Sequence, residues 1–237
     1  VAVGAYTLDH NTTGTNNTGL GWAALSDNTT GASNTAVGYN ALFGTTTGGS
    51  NTAVGDTSGD AISTGAGNTA VGMGSLSVAT TVDGNTAMGH NALGLATGAS
   101  NTAIGSHALQ DATASNLVAV GNYALAQNTS GTDNVAMGNQ AMDANTTGIK
   151  NTAIGNGTLG QNTTASDNTG VGYLALTANT TGIRNVALGS IAGQDLTTGD
   201  DNTFIGYSSG DDTTTASDNT GCGSYTLANN TTGANNV

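Results

Sequence analysis

Residues 34–50 read Asn-Thr-Ala-Val-Gly-Tyr-Asn-Ala-Leu-Phe-Gly-Thr-Thr-Thr-Gly-Gly-Ser, and variants of this stretch make up the whole chain. Its first five residues return, with small changes, at Asn51, Asn68, Asn85, Asn101, Asn134, Asn151, Asn168, Asn185, Asn202 and Asn219. The steps are 17 residues, shortened to 16 on either side of Asn101. A fixed period of this size is the signature of a repeat protein whose units stack on one another. We therefore interpret residues 1–237 as one continuous array of about 14 coils and expect it to be a window of a longer fibre.

Each coil can be numbered from its Asn, so that residues one coil apart share a column. Column 5 is Gly throughout, from Gly4 to Gly223, which indicates a positive φ or a neighbour too close for a Cβ. Column 4 is always apolar and column 9 is Leu in ten coils. Columns 3 and 8 hold small residues, mostly Ala. These columns predict an all-β fold, a parallel β-solenoid (β-roll) with about 14 coils of 17 residues and the apolar columns 4 and 9 inside.

Helix and disorder fit the sequence poorly. The 237 residues include 38 Gly and no Pro, and 7% are charged. No apolar stripe recurs every 3.6 residues, and each Gly costs a helix about 1 kcal/mol. Short pieces such as Thr-Ala-Val and Ala-Leu, followed by Gly or Asn turns, predict at least two short strands per coil.

Two columns have features that bear on stability. Asn side chains repeated in column 1 are expected to form an amide ladder from coil to coil. Three coils have Gly59, Gly193 or Gly210 in place of the column 9 Leu. In the first two, Ile62 and Leu196 stand three positions later, where other coils have Asn. We expect these side chains to turn inward and fill the lost volume, whereas the coil of Gly210 has no such substitute.

The Asn-Thr-Ala-Val-Gly and Asn-Thr-Ala-Ile-Gly units resemble the head repeats of trimeric autotransporter adhesins, which form a left-handed parallel β-roll. The longer form, Gly-x-x-Asn-Thr-Ala-Ile-Gly-x-x-Ala-Leu, is similar to repeats of phage and bacterial tail-fibre-like surface proteins. The resemblance implies a structural shaft or head segment of an extracellular fibre or adhesin that mediates attachment to a surface. It also implies a location outside the cell, on a cell surface or on a virion.

The small apolar content of each coil favours assembly of several chains. Columns 3 and 8 predict a flat face for close approach of a neighbour, and we expect a homotrimer wound about a fibre axis, with the chain itself as its main partner. A host glycan or cell surface is a second candidate partner. The main alternative function is an ice- or surface-binding solenoid that presents Thr residues of column 2, although Val1, Val118, Val135 and Val186 interrupt that column.

Composition argues against several other functions. The net charge is −13, and Lys150 and Arg184 are the only basic residues besides three histidines, so we expect no nucleic-acid partner. The sequence contains no run of about 18 apolar residues, so it does not predict membrane insertion. The single Cys222, with His90 and His107 in turns, offers no catalytic constellation. We therefore expect no enzyme activity, no catalytic residues, no cofactor and no metal site.

The aromatic residues concentrate in columns 6 and 7. All six Tyr and the single Trp occupy these two columns: Tyr6, Trp22, Tyr39, Tyr123, Tyr173, Tyr207 and Tyr225. One interpretation is a surface-binding ridge whose rings stack on sugars. The other is a set of amphipathic rings that cover the turn and shield its backbone, with the hydroxyls in water.

Column 17 alternates in charge over part of the chain. Its residues there are Asp133, Lys150, Asp167, Arg184, Asp201 and Asp218. Opposite charges one coil apart predict an ion-pair ladder along the axis, in which each exposed pair contributes about 0–1 kcal/mol.

Overall fold

A computed structural model describes residues 1–95 and 97–237 of the chain as two compact units, Val1–Leu117 and Val118–Val237. In both units the described residues form short β-strands joined by turns, and none of them is helical. Hence no helix in these ranges could span a membrane. The all-β prediction is confirmed.

The described residues of the first unit form seven strands, one for each coil. They are β1 (Ala2–Val3), β2 (Thr18–Leu20), β3 (Thr35–Val37), β4 (Thr52–Val54), β5 (Thr69–Val71), β6 (Thr86–Met88) and β7 (Thr102–Ile104). Neighbours in sequence pair in parallel, with Thr35 opposite Thr52 and, across the first 16-residue coil, Thr86 opposite Thr102. Parallel pairing at the repeat spacing makes this unit a β-solenoid.

The second unit repeats this arrangement. Its strands are β8 (Val118–Val120), β9 (Val135–Met137), β10 (Thr152–Ile154), β11 (Thr169–Val171), β12 (Val186–Leu188), β13 (Thr203–Ile205) and β14 (Thr220–Cys222). Each pairs in parallel with the next, as Thr152 does with Thr169. The predicted solenoid of about 14 coils, 17 residues each, is therefore confirmed as a fold.

The second predicted strand of each coil is absent among the described residues, where columns 6 to 11 form turns. Columns 7, 9 and 17 carry non-glycine residues in the left-handed region, for example Leu42 at φ 51° and Ser50 at φ 58°. A strand requires negative φ, so the Ala-Leu segment cannot extend. Hydrogen bonds still join the coils there, as between Leu25 N and Ala41 O at 3.0 Å.

The column 1 Asn side chains form the predicted ladder and are buried. The Oδ1 atom of Asn34 accepts a hydrogen bond from the backbone N–H of Asn51 at 2.9 Å. The Nδ2 atom of Asn51 donates to the carbonyl of Gly65 in its own coil at 2.8 Å. Each amide therefore ties one coil to the next and closes its own turn, which favours Asn in this column; Leu117 is the exception and is fully buried.

Column 5 requires glycine for both of the expected reasons. Gly38 has φ 138°, and a Cβ placed on it would collide with the carbonyl of Gly55.

The assignment of columns 3 and 4 to exterior and interior was wrong. Column 3, including Ala36 and Ala153, is fully buried, and so is column 8, including Ala41 and Ala141. Side chains alternate along a strand, so burial of column 3 turns columns 2 and 4 outward. The interior is narrow here: a Cβ on Gly19 would lie 3.8 Å from the Cβ of Ala24. Columns 3 and 8 are small because they pack against each other, and they are not available to a neighbouring chain.

Bulky side chains fill the coils that lack the column 9 Leu. Ile62 and Leu196 are fully buried, as predicted, and a Cβ on Gly59 would stand 3.1 Å from the Cδ1 of Ile62. In the coil of Gly210 the substitute is Phe204, which is fully buried in column 3. The sequence interpretation had found no compensation there.

Candidate functional site

The most extended candidate surface in each unit is the outer face, which we define as columns 2 and 4 of its strands. The column 4 residues are aliphatic or sulfur-containing, and most of them are well exposed, from Leu188 at 37% to Val3 at 54%. Val37, Val71, Val120 and Val171 of the same column are half-buried. A row of exposed apolar side chains makes the outer face a candidate interaction surface.

Column 2 borders this apolar row. In the first unit it is Thr without interruption from Thr18 to Thr102, and in the second unit Val118, Val135 and Val186 alternate with Thr. These residues are half-buried in all but the terminal coils. The outer face therefore has no charged side chain in either column.

The residues of the predicted aromatic ridge form separate groups in the two units. In the first unit the rings of Tyr6 and Trp22 meet edge to face with centroids 5.7 Å apart. Trp22 and Tyr39 stack with centroids 4.9 Å apart at an interplanar angle of 10°. In the second unit Tyr207 and Tyr225 meet edge to face at 5.3 Å. Tyr123 and Tyr173 also lie in the second unit and are exposed.

The first aromatic group borders an open cleft of about 400 Å³, here called the aromatic cleft. Its lining residues are Tyr6, Asp9, His10, Trp22, Ala23, Ser26, Asp27 and Phe43. The sequence interpretation identified Tyr6 and Trp22 but missed Phe43, Asp9, His10 and Asp27. The signal was present in the repeat, because these four residues occupy columns 10 and 11, next to the aromatic columns on the same turn.

Of the ion-pair ladder predicted for column 17, one pair forms in the second unit. The prediction was otherwise wrong. Arg184 binds Asp201 through two hydrogen bonds of 2.6 Å, from Nε to Oδ1 and from Nη2 to Oδ2. These bonds hold the pKa of Asp201 below its usual range. Lys150, within the second unit, has no carboxylate within 4 Å of its amine. Exposed lysines gain little from such pairing.

The histidines of the first unit do not assemble a metal site in the described residues. The rings of His90 and His107 lie edge to face with centroids 5.1 Å apart. No group of three or more His, Cys, Asp or Glu converges anywhere in residues 1–95 and 97–237.

No family model matches the chain, and no curated protein or solved structure matches it at a significant level. The resemblance to adhesin heads and tail-fibre repeats therefore rests on the repeat motif.

Proposed function

We propose that the chain is a structural segment of an extracellular fibre or adhesin, assembled from identical chains through the outer face. The observation that carries the proposal is the row of exposed apolar side chains in column 4. Left in water, each such residue forgoes the roughly 25 cal/mol per Å² that burial of apolar surface provides. A surface made of a long apolar row fits a permanent partner better than a transient one.

A second copy of the same chain is the partner that fits this surface. The outer face repeats at the coil spacing of about 4.8 Å, so only a partner with the same period matches it coil for coil. The chain has a net charge of −13, but columns 2 and 4 carry no charge, so two copies place no like charges opposite each other in these columns. Three chains about a common axis keep all coils parallel and bring their outer faces together, and a homotrimer is the proposed assembly. Its location is proposed to be a cell surface or a virion.

The test is the mass of the assembly in solution. Sedimentation equilibrium of the full chain is expected to give about three times the monomer mass of 22.9 kDa. Val54→Asp and Ile154→Asp place a charge on the outer face and are expected to shift the mass to that of the monomer while the coils remain folded. Met73→Asp is the matched control, because Met73 is exposed in column 6, away from the outer face. A wild-type chain that stays monomeric at high concentration would overturn the proposal.

Substitutions in column 8 do not test assembly. Ala124 and Ala141 are fully buried within their own coils, so Ala124→Leu is expected to overpack the chain itself. That variant should lower the melting temperature whether or not the chain assembles.

One observation favours a second candidate function, binding to ice or another ordered surface. Thr occupies column 2 in six consecutive coils of the first unit, from Thr18 to Thr102. These residues lie in strands on the outer face and not in a turn. Thermal hysteresis of the purified chain separates the two functions. A freezing-point gap that Thr52→Tyr and Thr69→Tyr abolish, in a monomeric chain, would favour ice binding over assembly.

A further inference from the structure

The aromatic cleft is a depression lined by side chains from the turns of the first unit. Its floor consists of two small residues of one coil, Ala23 and Ser26, which are 1% and 6% exposed. Larger side chains stand around the floor: Tyr6 in the preceding coil, Phe43 in the following coil and Trp22 at the side. A volume of about 400 Å³ lies at the lower end of the range of small-molecule sites.

The polar groups at the cleft are mainly hydrogen-bond acceptors. Asp9 and Asp27 contribute carboxylates. The Nδ1 atom of His10 lies 3.1 Å from the carbonyl oxygen of Ser26, to which it can only donate, and 3.5 Å from Oδ1 of Asp27. In the neutral ring, Nε2 is then a further acceptor. The neutral donors that line the cleft are the hydroxyls of Ser26 and Tyr6 and the indole N–H of Trp22.

The electrostatic field of the first unit has one sign. Both basic residues of the chain other than histidine, Lys150 and Arg184, belong to the second unit, whereas the first unit carries only Asp. Carboxylates beside aromatic rings attract positive charge, and His10 is the one basic side chain among the lining residues of the cleft.

We infer that the aromatic cleft binds a small organic cation, an alkylated or quaternary ammonium group. The rings would contact the alkyl carbons and the negative ring faces would attract the charge, while Asp9 and Asp27 neutralise it. A neutral sugar could stack on the rings and bond to the polar groups, but it carries no charge for the two carboxylates to neutralise. The inference concerns each chain alone and does not depend on assembly through the outer face.

Trp22 makes this site directly observable, because it is the only tryptophan in the chain. The full chain is titrated with choline and, in parallel, with 3,3-dimethylbutan-1-ol, a neutral molecule of the same shape. Tryptophan fluorescence and titration calorimetry are expected to show saturable binding of choline, about tenfold tighter than that of the alcohol. Equal responses to both would mean general apolar contact and would overturn the inference.

Variants separate the charge from the rings. Asp27→Asn is expected to weaken choline binding about fivefold and to leave the alcohol unaffected. Asp111→Asn is the matched control, because Asp111 occupies column 11 as Asp27 does, five coils away. Phe43→Ala is expected to weaken both ligands, with the melting temperature checked for each variant. Tighter binding of neutral monosaccharides than of choline, no saturable signal, or a choline affinity unchanged in Asp27→Asn would each refute the cation site.

Discussion

The phenyl ring of Phe204 lies in the space where Gly210 has no side chain. A Cβ built on Gly210 would stand 2.5 Å from Cδ1 and Cε1 of that ring. One coil earlier, a Cβ on Gly193 would stand 3.0 Å from Cδ2 of the same ring. A single aromatic residue in a column of alanines thus replaces parts of two missing leucines.

Loss of this ring is expected to be costly. Phe204→Ala leaves a cavity against both Gly193 and Gly210, and we expect the free energy of unfolding to fall by about 3–5 kcal/mol. Chemical denaturation of the purified chain measures the change. A loss below about 1 kcal/mol would show that the ring does not support the coil.

The pairing of ring and glycine can be tested by restoring the common pattern. Gly210→Leu alone should clash with Phe204, whereas Phe204→Ala combined with Gly210→Leu recreates the Ala and Leu of an ordinary coil. The backbone permits it, since Gly210 has φ 65° and Leu42 in the same column has φ 51°. We expect the double variant to be more stable than either single variant. Additive losses would argue against the compensation.

Buried hydroxyls without partners offer a stabilising substitution. The Oγ1 atom of Thr213 is buried and makes no hydrogen bond to any described residue. Thr213→Val keeps the shape and removes an unsatisfied group, so we expect a gain of about 1 kcal/mol. Thr158→Val is the control, because the Thr158 hydroxyl donates to the carbonyl of Gly172 and its removal should destabilise. Thermal melts of the two variants should therefore move in opposite directions.

We expect the buried amide ladder of column 1 to contribute more to stability than the contacts between exposed Asn side chains of column 6. Asn168 accepts from Asn185 N at 2.9 Å and donates to Gly182 O at 2.9 Å, so Asn168→Ala leaves both groups unpaired inside the coil. We expect a loss of about 2–4 kcal/mol. Asn156 makes a 3.3 Å contact with Asn139 in the exposed column 6, and Asn156→Ala should change stability by less than about 0.5 kcal/mol. Similar losses in the two denaturation curves would be evidence against a structural role for column 1.

The pH dependence of stability should include a contribution from Asp143. Burial raises the pKa of this carboxyl above its ordinary value of 3.8. A raised pKa in the folded state means that the neutral acid fits the fold better than the carboxylate. The associated stability is present below the unfolded pKa and is lost as pH rises through the folded pKa. We therefore expect Asp143→Asn to raise the melting temperature at pH 7 and to have little effect near pH 3.

Asp201 should show the opposite sign, because Arg184 lowers its pKa. Its contribution to stability is present above the unfolded pKa and is lost as pH falls. Both groups are exposed, so the effect of Asp201→Asn at pH 7 should be small. A melting temperature raised at pH 7 by this variant would contradict the sign.

The constant columns were sufficient to predict much of the fold. The backbone contacts of column 5 leave only glycine, and those of column 1 favour asparagine in every coil but that of Leu117, so both roles can be inferred from the sequence. The inward turn of Ile62 and Leu196 was predictable for a related reason, since a lost Leu and a gained aliphatic residue occur in one coil. Phe204 was harder to connect with Gly210, because it precedes that residue by six positions in another column.

The orientation of columns 3 and 4 could not be taken from hydrophobicity. A three-residue strand such as Thr35–Val37 alternates sides, and either its centre or its ends must face the interior. Apolarity favours Val37 inside, but in a coil with Leu in column 9 the space between columns 3 and 8 suits a side chain the size of Ala36. The width of the interior depends on how the whole coil closes, so it cannot be inferred from the sequence of a single repeat. The same error hid the outer face, which became apparent only when the burial of each column was known.

Each of the two 16-residue coils is one residue shorter in the turn that closes the coil. Asn34 reaches the carbonyl of Gly48, 14 residues later, whereas Asn85 and Asn101 reach carbonyls 13 residues later. Every other column keeps its alignment, so the missing residue comes from the segment just before this carbonyl. At the level of the gene, the absence of one codon in this segment keeps the other columns in register, while the gain or loss of 17 codons leaves every column in place. Unequal recombination between repeats would therefore change the number of coils without disturbing the register, and alleles of different length should differ by whole coils.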